Sequence, residues 1–336
     1  MTTPSEVQSH LVGGAESEQD GPRPGGVVLS KSPMQLAIAR FRKDKISMVA
    51  LGIVVFFFIS ALLAPILVAT GVLDPYTTNV DLLDDNTLPI GRFSGMSWDH
   101  PLGLEPGAGR DALSRIWYGI TFSLGMALTA TLIAVTLGVV LGIISGASGG
   151  WTDTIIGRLI DLTLAFPQTL MLLSLSAVAL AFIEEGMGIP AGNAPRAFYV
   201  VVGLGLFGWT GIARVTRGQV LSLREREFVH AATLLGASRW RIYFKEILPN
   251  LWAPILVQLT LILPAFVSAE AALSYLGISI RPPTPTLGNV LFDSLRYADS
   301  SFIYFFGPAV LIALIVVSFN LLGDGLRDAL DPKTGR

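Results

Sequence analysis

The sequence predicts an all-α polytopic membrane protein with six transmembrane helices, preceded by an amphipathic N-terminal interfacial helix. Hydrophobic residues make up 51% of the 336 residues. Charged residues make up only 14%, against about 25% in typical soluble domains. Six long stretches contain no Asp, Glu, Lys or Arg, as expected for helices that cross a bilayer. This composition excludes a soluble enzyme, and the absence of cysteine excludes disulfide frameworks, Cys-ligated zinc and thiol catalysis.

The chain before the first apolar stretch divides into two segments. Residues 1–30 mix Gly, Pro, Ser, Glu and Gln without apolar periodicity, which predicts a disordered tail. In residues 31–45, apolar residues recur at helical spacing after Pro33, which suits a first helical turn. The apolar positions are Met34, Ala37, Ile38 and Phe41, and the basic ones are Arg40, Arg42, Lys43 and Lys45. We expect this amphipathic helix to lie on the membrane surface.

The six uncharged stretches predict the membrane helices. They are residues 46–73, 116–152, 162–183, 197–213, 247–269 and 300–323. Each can cross about 30 Å of hydrocarbon at about 1.5 Å per residue, although the fourth needs flanking residues. The runs are continuous rather than alternating, which excludes a membrane barrel. We therefore expect a first span (46–73), an extracytoplasmic loop (74–115), a five-helix core (116–323) and a C-terminal tail (324–336).

The basic residues predict the orientation of these helices. If the N-terminus is inside, most Lys and Arg fall on the inner side, in the tails and in the loops after the second and fourth stretches. The loop 74–115 is instead rich in Asp. Because Lys and Arg accumulate on the cytoplasmic side, we expect both termini and the loop 214–246 in the cytoplasm.

The loop 214–246 has an internal pattern of its own. Apolar residues recur at i, i+3, i+4 and i+7 on both sides of Gly236, which predicts two short amphipathic helices joined by a turn. They are Phe228, Ala231, Ala232 and Leu235 before the turn, and Trp240, Tyr243, Phe244 and Ile247 after it. We expect a positive φ at Gly236 and Ser238 as cap of the second helix. On physical grounds alone, such a basic element could equally rest on anionic lipid.

Residues 230–236 (HAATLLG) and 246–249 (EILP) resemble the EAA-x-x-x-G-x9-I-x-L-P motif of ABC importer permeases. His230 stands in place of the motif's Glu and Glu246 in place of its Ile, while the other motif positions match. Further segments resemble the dipeptide, oligopeptide and nickel branch of that family: residues 32–42, 100–115, 221–227, 270–277, 282–285 and 320–328. The resemblance covers about residues 31–333.

The resemblance implies a type I ABC importer permease architecture, in the plasma (inner) membrane of a bacterial cell. It implies a permease subunit that forms the translocation path for short peptides or related small solutes, such as glutathione or nickel chelates, delivered by a binding protein. The implied partners are a second, homologous permease in a heterodimer, two ATP-binding subunits, an extracytoplasmic substrate-binding protein and membrane lipid, with no nucleic acid. The residues implied to couple the chain to the ATPase are Glu227, His230, Ala231, Ala232, Leu235, Gly236, Leu248 and Pro249.

The chain contains no Gly-x-x-x-x-Gly-Lys-Ser/Thr phosphate loop. ATP and Mg are therefore expected on the partner ATPase subunits, with no catalytic residue, cofactor or metal site in this chain. The only histidines are His10, His100 and His230, which gives a membrane hydrolase little to work with.

Three residues are candidates for the translocation path: Pro264 inside the fifth uncharged stretch, Glu270 directly after it, and Asp161 directly before the third stretch. A charge at mid-bilayer costs about 2.5 to 3.5 kcal/mol. We therefore expect Glu270 either to face the path or to form a buried hydrogen bond with another helix. The alternative to a path role for Asp161 is that its negative charge only interacts favourably with a nearby helix N-terminus. Pro264 can kink its helix. Such a kink suits a gate but also occurs in helices that do not gate. Gly138, Gly142 and Gly146 predict close packing, within the chain or with the second permease.

One alternative is a secondary transporter driven by an ion gradient. It would need intramembrane carboxylates or broken helices at matching places in two halves. The sequence offers one mid-span acid, Glu270, and no internal repeat.

Overall fold

The computed structural model describes residues 33–330, and the expected tail 1–30 and residues 331–336 lie outside them. The described chain is built from helices without a β-strand. The α-helices are α1 (Pro33–Lys43), α2 (Lys45–Ala69), α3 (Ala112–Ser148), α4 (Gly150–Leu164), α5 (Gln168–Ala181), α6 (Asn193–Leu223), α7 (Glu227–Leu234), α8 (Arg239–Arg241), α9 (Trp252–Tyr275), α10 (Leu287–Leu295) and α11 (Phe302–Leu330). A π-helical turn, Phe182–Gly186, continues α5, and π and 3₁₀ turns over Ile242–Ile247 and Leu248–Leu251 join α8 to α9.

Six helical segments of the described chain are long and apolar enough to cross a membrane, which confirms the predicted fold class. They are Lys45–Ala69, Ala112–Ser148, Gln168–Gly186, Asn193–Leu223, Arg239–Tyr275 and Phe302–Leu330. The third begins at Gln168 rather than at residue 162, because Pro167 separates α4 from α5. The fourth extends ten residues past Ala213, because two arginines within this extension find carboxylate partners described below.

Side-chain caps determine where several helices begin. Asp111 caps α3 by accepting a hydrogen bond from the Ser114 backbone amide at 2.7 Å. Thr286 caps α10 in a reciprocal capping box with Asn289. These caps fix the ends of helices that leave the loop 70–111 and the loop 276–286.

The pair α3 and α6 forms the centre of the bundle. A Cβ at Gly138 would lie 2.6 Å from Ile212 Cβ, and one at Gly142 would lie 2.7 Å from Thr216 Cβ. Gly146 meets the next turn of α6 at Val220 in the same way. The contacts advance by four residues on both helices together, so α3 and α6 run parallel with their backbones close. The glycine face therefore packs within the chain.

The remaining membrane helices surround this pair. The fifth segment, through α9, packs against α3 and α11, and α2 packs on the outside of α3 and α11. Fully buried apolar side chains fill the centre, among them Leu124, Ile143, Leu204, Ile212 and Leu263. The amphipathic helix α1 lies beside the end of α11.

Candidate functional site

The helices α7 and α8 meet at Gly236, which has a φ of +78°. The Gly236 amide donates to the Thr233 carbonyl at 3.0 Å and the Ala237 amide donates to the Ala232 carbonyl at 3.0 Å, which is a Schellman motif. Ser238 Oγ then accepts from the Arg241 amide at 3.3 Å and caps the second helix. The predicted turn and cap are both confirmed, and the turn has a defined backbone conformation.

Large apolar side chains project from this turn. Leu234 and Leu235 are each 88% exposed, Trp240 is 69% exposed, and Phe228 is also exposed. We call these four residues the apolar tip. The centroids of the Trp240 and Phe244 rings lie 4.1 Å apart, so the two rings pack against each other. Exposed apolar surface of this kind on a charged loop is typical of an interaction site.

The second predicted apolar stripe does not form one surface. Trp240 is exposed, but Tyr243 and Ile247 are buried against the rest of the chain. The second predicted helix is only partly α-helical, because α8 ends at Arg241 and a π-helical turn follows over Ile242–Ile247. Its apolar side chains therefore lie partly in the core and partly on the apolar tip.

Three contacts fasten this loop to the membrane helices. Tyr243 Oη and Ser148 Oγ share a hydrogen bond of 2.9 Å, which joins the loop to the end of α3. Arg224 Nη1 donates to the Gly146 carbonyl at 3.2 Å. Ile247 is completely buried at the end of the π-helical turn that leads towards α9. The apolar tip is therefore connected to α3 and α9 through short, packed contacts.

The other coupling candidates lie on or beside the same loop. Glu227 is the first residue of α7, and its position suits an anion at a helix N-terminus. His230 and Ala231 are exposed and Ala232 is half-buried. Leu248 packs against the core, whereas Pro249 is exposed in the 3₁₀ turn that leads into α9.

Two ion pairs join α4 to α6 near this loop. Asp153 accepts from Arg217 Nε at 2.6 Å and from Arg217 Nη2 at 2.7 Å, and it also accepts from Ser145 Oγ at 2.5 Å. The Arg217 guanidinium lowers the pKa of Asp153 to about 2. The ion pair of Asp153 with Arg217 was not predicted from the sequence, although a signal for it was present. Asp153 and Asp161 lie eight residues apart on α4 and therefore share one face.

Asp161 forms the second pair, accepting from Arg214 Nη2 at 2.7 Å with both side chains mostly exposed. The expectation that Asp161 lies near a helix start is wrong, because it lies in the last turn of α4. The partial negative charge of that helix end disfavours a carboxylate, and Arg214 compensates.

Glu270 is completely buried at the meeting point of four segments. Ser274 Oγ and Ser279 Oγ each donate to Glu270 Oε1 at 2.8 Å. Ser123 Oγ donates to Glu270 Oε2 at 3.0 Å and itself accepts from the Leu287 amide at 3.0 Å. The carboxylate thus links α3, α9, the loop after α9 and the start of α10. This geometry favours the second alternative for Glu270, a buried hydrogen bond between helices.

Pro264 lies buried inside α9, six residues before Glu270. The Pro264 carbonyl accepts from Ser268 Oγ at 3.1 Å, one turn further along α9. The helix continues through the proline to Tyr275. The three path candidates are therefore not brought together: Glu270 and Pro264 share α9, and Asp161 lies on α4.

A buried charge cluster occupies the other end of the bundle. Glu105 accepts two hydrogen bonds from Arg110, at 2.5 and 2.9 Å, and its carboxylate lies 3.2 Å from Arg115 Nε. Arg115 has no exposed surface and donates through Nη1 to the Pro283 carbonyl at 3.0 Å. Burial raises the pKa of the nearby Asp293 carboxyl, and the charge of Glu105 adds to that rise. The cluster ties the loop 70–111 to α3 and to the loop before α10.

Within residues 33–330, no group of three or more His, Asp or Glu side chains is placed to hold a metal ion.

Comparison with known proteins identifies relatives over almost the whole chain. Residues 138–336 match the family described as binding-protein-dependent transport system inner membrane component, and residues 32–89 match the N-terminal TM domain of oligopeptide transport permease C. The dipeptide transport system permease protein DppC of Alkalihalophilus pseudofirmus is 36% identical over 316 residues, covering 94% of this chain and 95% of that protein. The oligopeptide transport system permease protein OppC of Bacillus subtilis is 37% identical over 308 residues, covering 91% and 92%.

Among solved structures, an inward-facing conformation of the MetNI methionine ABC transporter resembles this fold. The TM-score is 0.51 at 16% identity, covering 65% of this chain and 97% of the matched chain. This likeness concerns the fold alone.

Proposed function

This chain belongs to the family of binding-protein-dependent transport system inner membrane components, and we propose that it is a permease subunit of an ATP-driven importer for short peptides or related small solutes. The relatives named above are dipeptide and oligopeptide permeases, which supports the substrate class. They also support this function over an ion-gradient-driven secondary transporter.

The apolar tip is the observation that carries the ATPase-coupling part of the proposal. Leu234 and Leu235 project from a turn whose backbone is held by a Schellman motif. A groove on a soluble ATPase subunit would remove these side chains from water, worth about 1.5 to 3 kcal/mol for each fully buried leucine. The short connections to α3 and α9 then transmit a rigid-body movement of the ATPase to the membrane helices.

The proposed assembly contains a second, homologous permease, two ATP-binding subunits and an extracytoplasmic binding protein. ATP and Mg bind to the ATPase subunits, and this chain contributes part of the path. Both termini and the apolar tip lie in the cytoplasm. The concentration of Lys and Arg in the tails and in the loops on the same side supports this orientation.

A double substitution in the apolar tip tests the proposal. We expect Leu234→Ser with Leu235→Ser to reduce co-purification of the ATPase subunits and to abolish peptide-stimulated ATP hydrolysis in proteoliposomes. The matched control is Leu132→Ser with Leu62→Ser, which removes two exposed leucines from the membrane helices α3 and α2. If the tip variant keeps its ATPase subunits and full coupling but binds anionic vesicles less well, the tip rests on lipid and the coupling proposal is wrong.

A further inference from the structure

The loop between α2 and α3 carries a group of exposed apolar side chains. Phe93 is 70% exposed and Ile90 is 59% exposed, and Leu82 and Met96 are exposed as well. We call these four residues the outer patch. Exposed apolar side chains that cluster in this way mark an interaction site, whereas single ones need no explanation.

Short backbone contacts hold the outer patch together. The Ile90 amide donates to the Leu82 carbonyl at 2.9 Å. A Cβ at Gly95 would lie 3.2 Å from the Ile90 carbonyl oxygen, so the turn that carries Phe93 folds back on Ile90. Met96 follows Gly95 directly in this turn. The four exposed side chains therefore lie close to one another.

The backbone that presents Phe93 is strained and firmly anchored. Phe93 and Ser94 have φ of +52° and +63°, a left-handed conformation that costs energy for residues other than glycine. Ser94 is buried beneath the patch, and its carbonyl accepts from the Leu104 amide at 2.9 Å. Leu104 precedes Glu105, whose carboxylate lies 3.2 Å from Arg115 Nε on α3. Because an exposed Phe93 adds little to the core, the strain points to a contact outside the chain.

Acidic side chains surround the outer patch. Residues 70–104 contain one arginine, Arg92, and five carboxylates, all of them exposed: Asp74, Asp81, Asp84, Asp85 and Asp99. His100, in the same segment, is paired with Asp111. This net negative charge repels anionic lipid headgroups and attracts a protein surface that carries Lys and Arg. The partner that fits the outer patch is therefore a protein with an apolar pocket bordered by basic side chains.

We propose that the outer patch docks the extracytoplasmic binding protein, with Phe93 and Ile90 in an apolar pocket of that protein and its basic side chains against Asp81 and Asp85. The inference rests on the proposed function, which places this loop on the side where the binding protein delivers its solute. The patch lies on the loop that joins α2 to α3, not along the sides of the membrane helices, where a second permease would pack. Its anchored base fixes the docked protein relative to α3.

Docking affinity tests the outer patch. The probe is the fluorescently labelled binding protein that supports peptide uptake by the full transporter complex, and its Kd for that complex is measured in nanodiscs. We expect Phe93→Gly to weaken docking about tenfold, the loss typical of a buried aromatic anchor. Glycine suits a φ of +52°, so this variant should keep the melting temperature of the complex. Ile90→Ser should also weaken docking.

Two further variants separate the charge from the apolar contact. Asp85→Lys, on the exposed acidic border, should slow association and reduce its dependence on salt. Val72→Ser is the matched control, because Val72 is also 70% exposed in the same loop but lies outside the outer patch. It should leave the Kd unchanged.

Three results would overturn the proposal. Unchanged affinity in both Phe93→Gly and Ile90→Ser, while uptake still requires the binding protein, would place docking elsewhere and leave the proposed function standing. Loss of the second permease from the Phe93→Gly complex would assign the outer patch to the interface between subunits. Quenching by spin-labelled lipids of a fluorophore on Phe93→Cys, with docking unaffected, would place the patch on the membrane. If no binding protein supports uptake at all, the proposed function itself fails.

Discussion

Ser123 on α3 and Glu270 on α9 are 147 residues apart in sequence, yet Ser123 Oγ donates to Glu270 Oε2 at 3.0 Å in the centre of the bundle. Ser123 Oγ also accepts a hydrogen bond from the backbone amide of Leu287, the first residue of α10. A carboxylate buried among membrane helices is costly unless it is hydrogen-bonded, and here three hydroxyls donate to it. The arrangement fixes the second membrane helix against the fifth.

Substitution of Glu270 separates the structural role from a path role. We expect Glu270→Leu to lower the free energy of unfolding by about 3 kcal/mol, because buried hydroxyls lose their acceptor. Glu270→Gln keeps one acceptor oxygen and should cost about 1 kcal/mol. Thermal unfolding of the purified complex in detergent measures both. Normal stability and assembly in Glu270→Leu, combined with lost uptake, would instead assign Glu270 to the translocation path.

Two glycines of α3 provide a matched test of its packing against α6. A Cβ at Gly142 would lie 2.7 Å from Thr216 Cβ and 2.8 Å from the Ala213 carbonyl oxygen, whereas a Cβ at Gly125 would meet nothing within 4 Å. We expect Gly142→Ala to destabilise the protein by about 2 kcal/mol through overpacking. Gly125→Ala, on the same helix, should cause no loss of stability. Equal melting temperatures for both variants would contradict the close approach of α3 and α6.

The six membrane helices could be predicted from the sequence because hydrocarbon requires long apolar runs. The turn at Gly236 was also predictable, since only the local chain determines a positive φ and a serine cap. The ion pair of Arg217 on α6 with Asp153 on α4 was not, because it depends on how the two helices pack together. Nor were the partners of Glu270, because Ser123 is brought to it by tertiary packing.

The lowered pKa of Asp153 predicts that the stability of the protein depends on pH. Arg217 lowers this pKa from 3.8 to about 2 in the folded protein, so the pair stabilises the fold above pH 3.8. That contribution is lost as the pH falls from 3.8 towards 2, because the carboxyl then takes up a proton. We expect Asp153→Asn to cost about 1 kcal/mol at pH 7, since solvent screens a partly exposed pair.

A neighbouring pair serves as the control for Asp153. Asp161 and Arg214 are both mostly exposed, so Asp161→Asn should change stability little. Melting temperatures of both variants and the unchanged protein, measured at pH 7 and near pH 3, test the prediction. If the unchanged protein and Asp153→Asn differ as much at pH 3 as at pH 7, the pair does not titrate as described.

Cysteine labelling tests the proposed orientation, because the chain has no cysteine of its own. Ser238 lies in the loop of the apolar tip and Trp98 is fully exposed in the loop 70–111. We expect an impermeant maleimide to label Trp98→Cys in intact cells and Ser238→Cys only after the membrane is opened. Labelling of Ser238→Cys in intact cells would reverse the orientation.

The conformation of Gly236 leads to a prediction about coupling that does not depend on the identity of the substrate. Its φ of +78° suits glycine, is tolerated by asparagine and is strained for a β-branched residue. A Cβ there would meet no atom within 4 Å, so a substitution acts on the backbone conformation rather than by a clash. We therefore expect Gly236→Val to open the Schellman turn, move Leu235 and uncouple ATP hydrolysis from uptake. Gly236→Asn, larger than glycine but tolerant of positive φ, should retain most of the coupling. Peptide-stimulated ATPase activity and uptake in proteoliposomes measure both variants. Equal activity of the two would show that the turn conformation does not position the apolar tip.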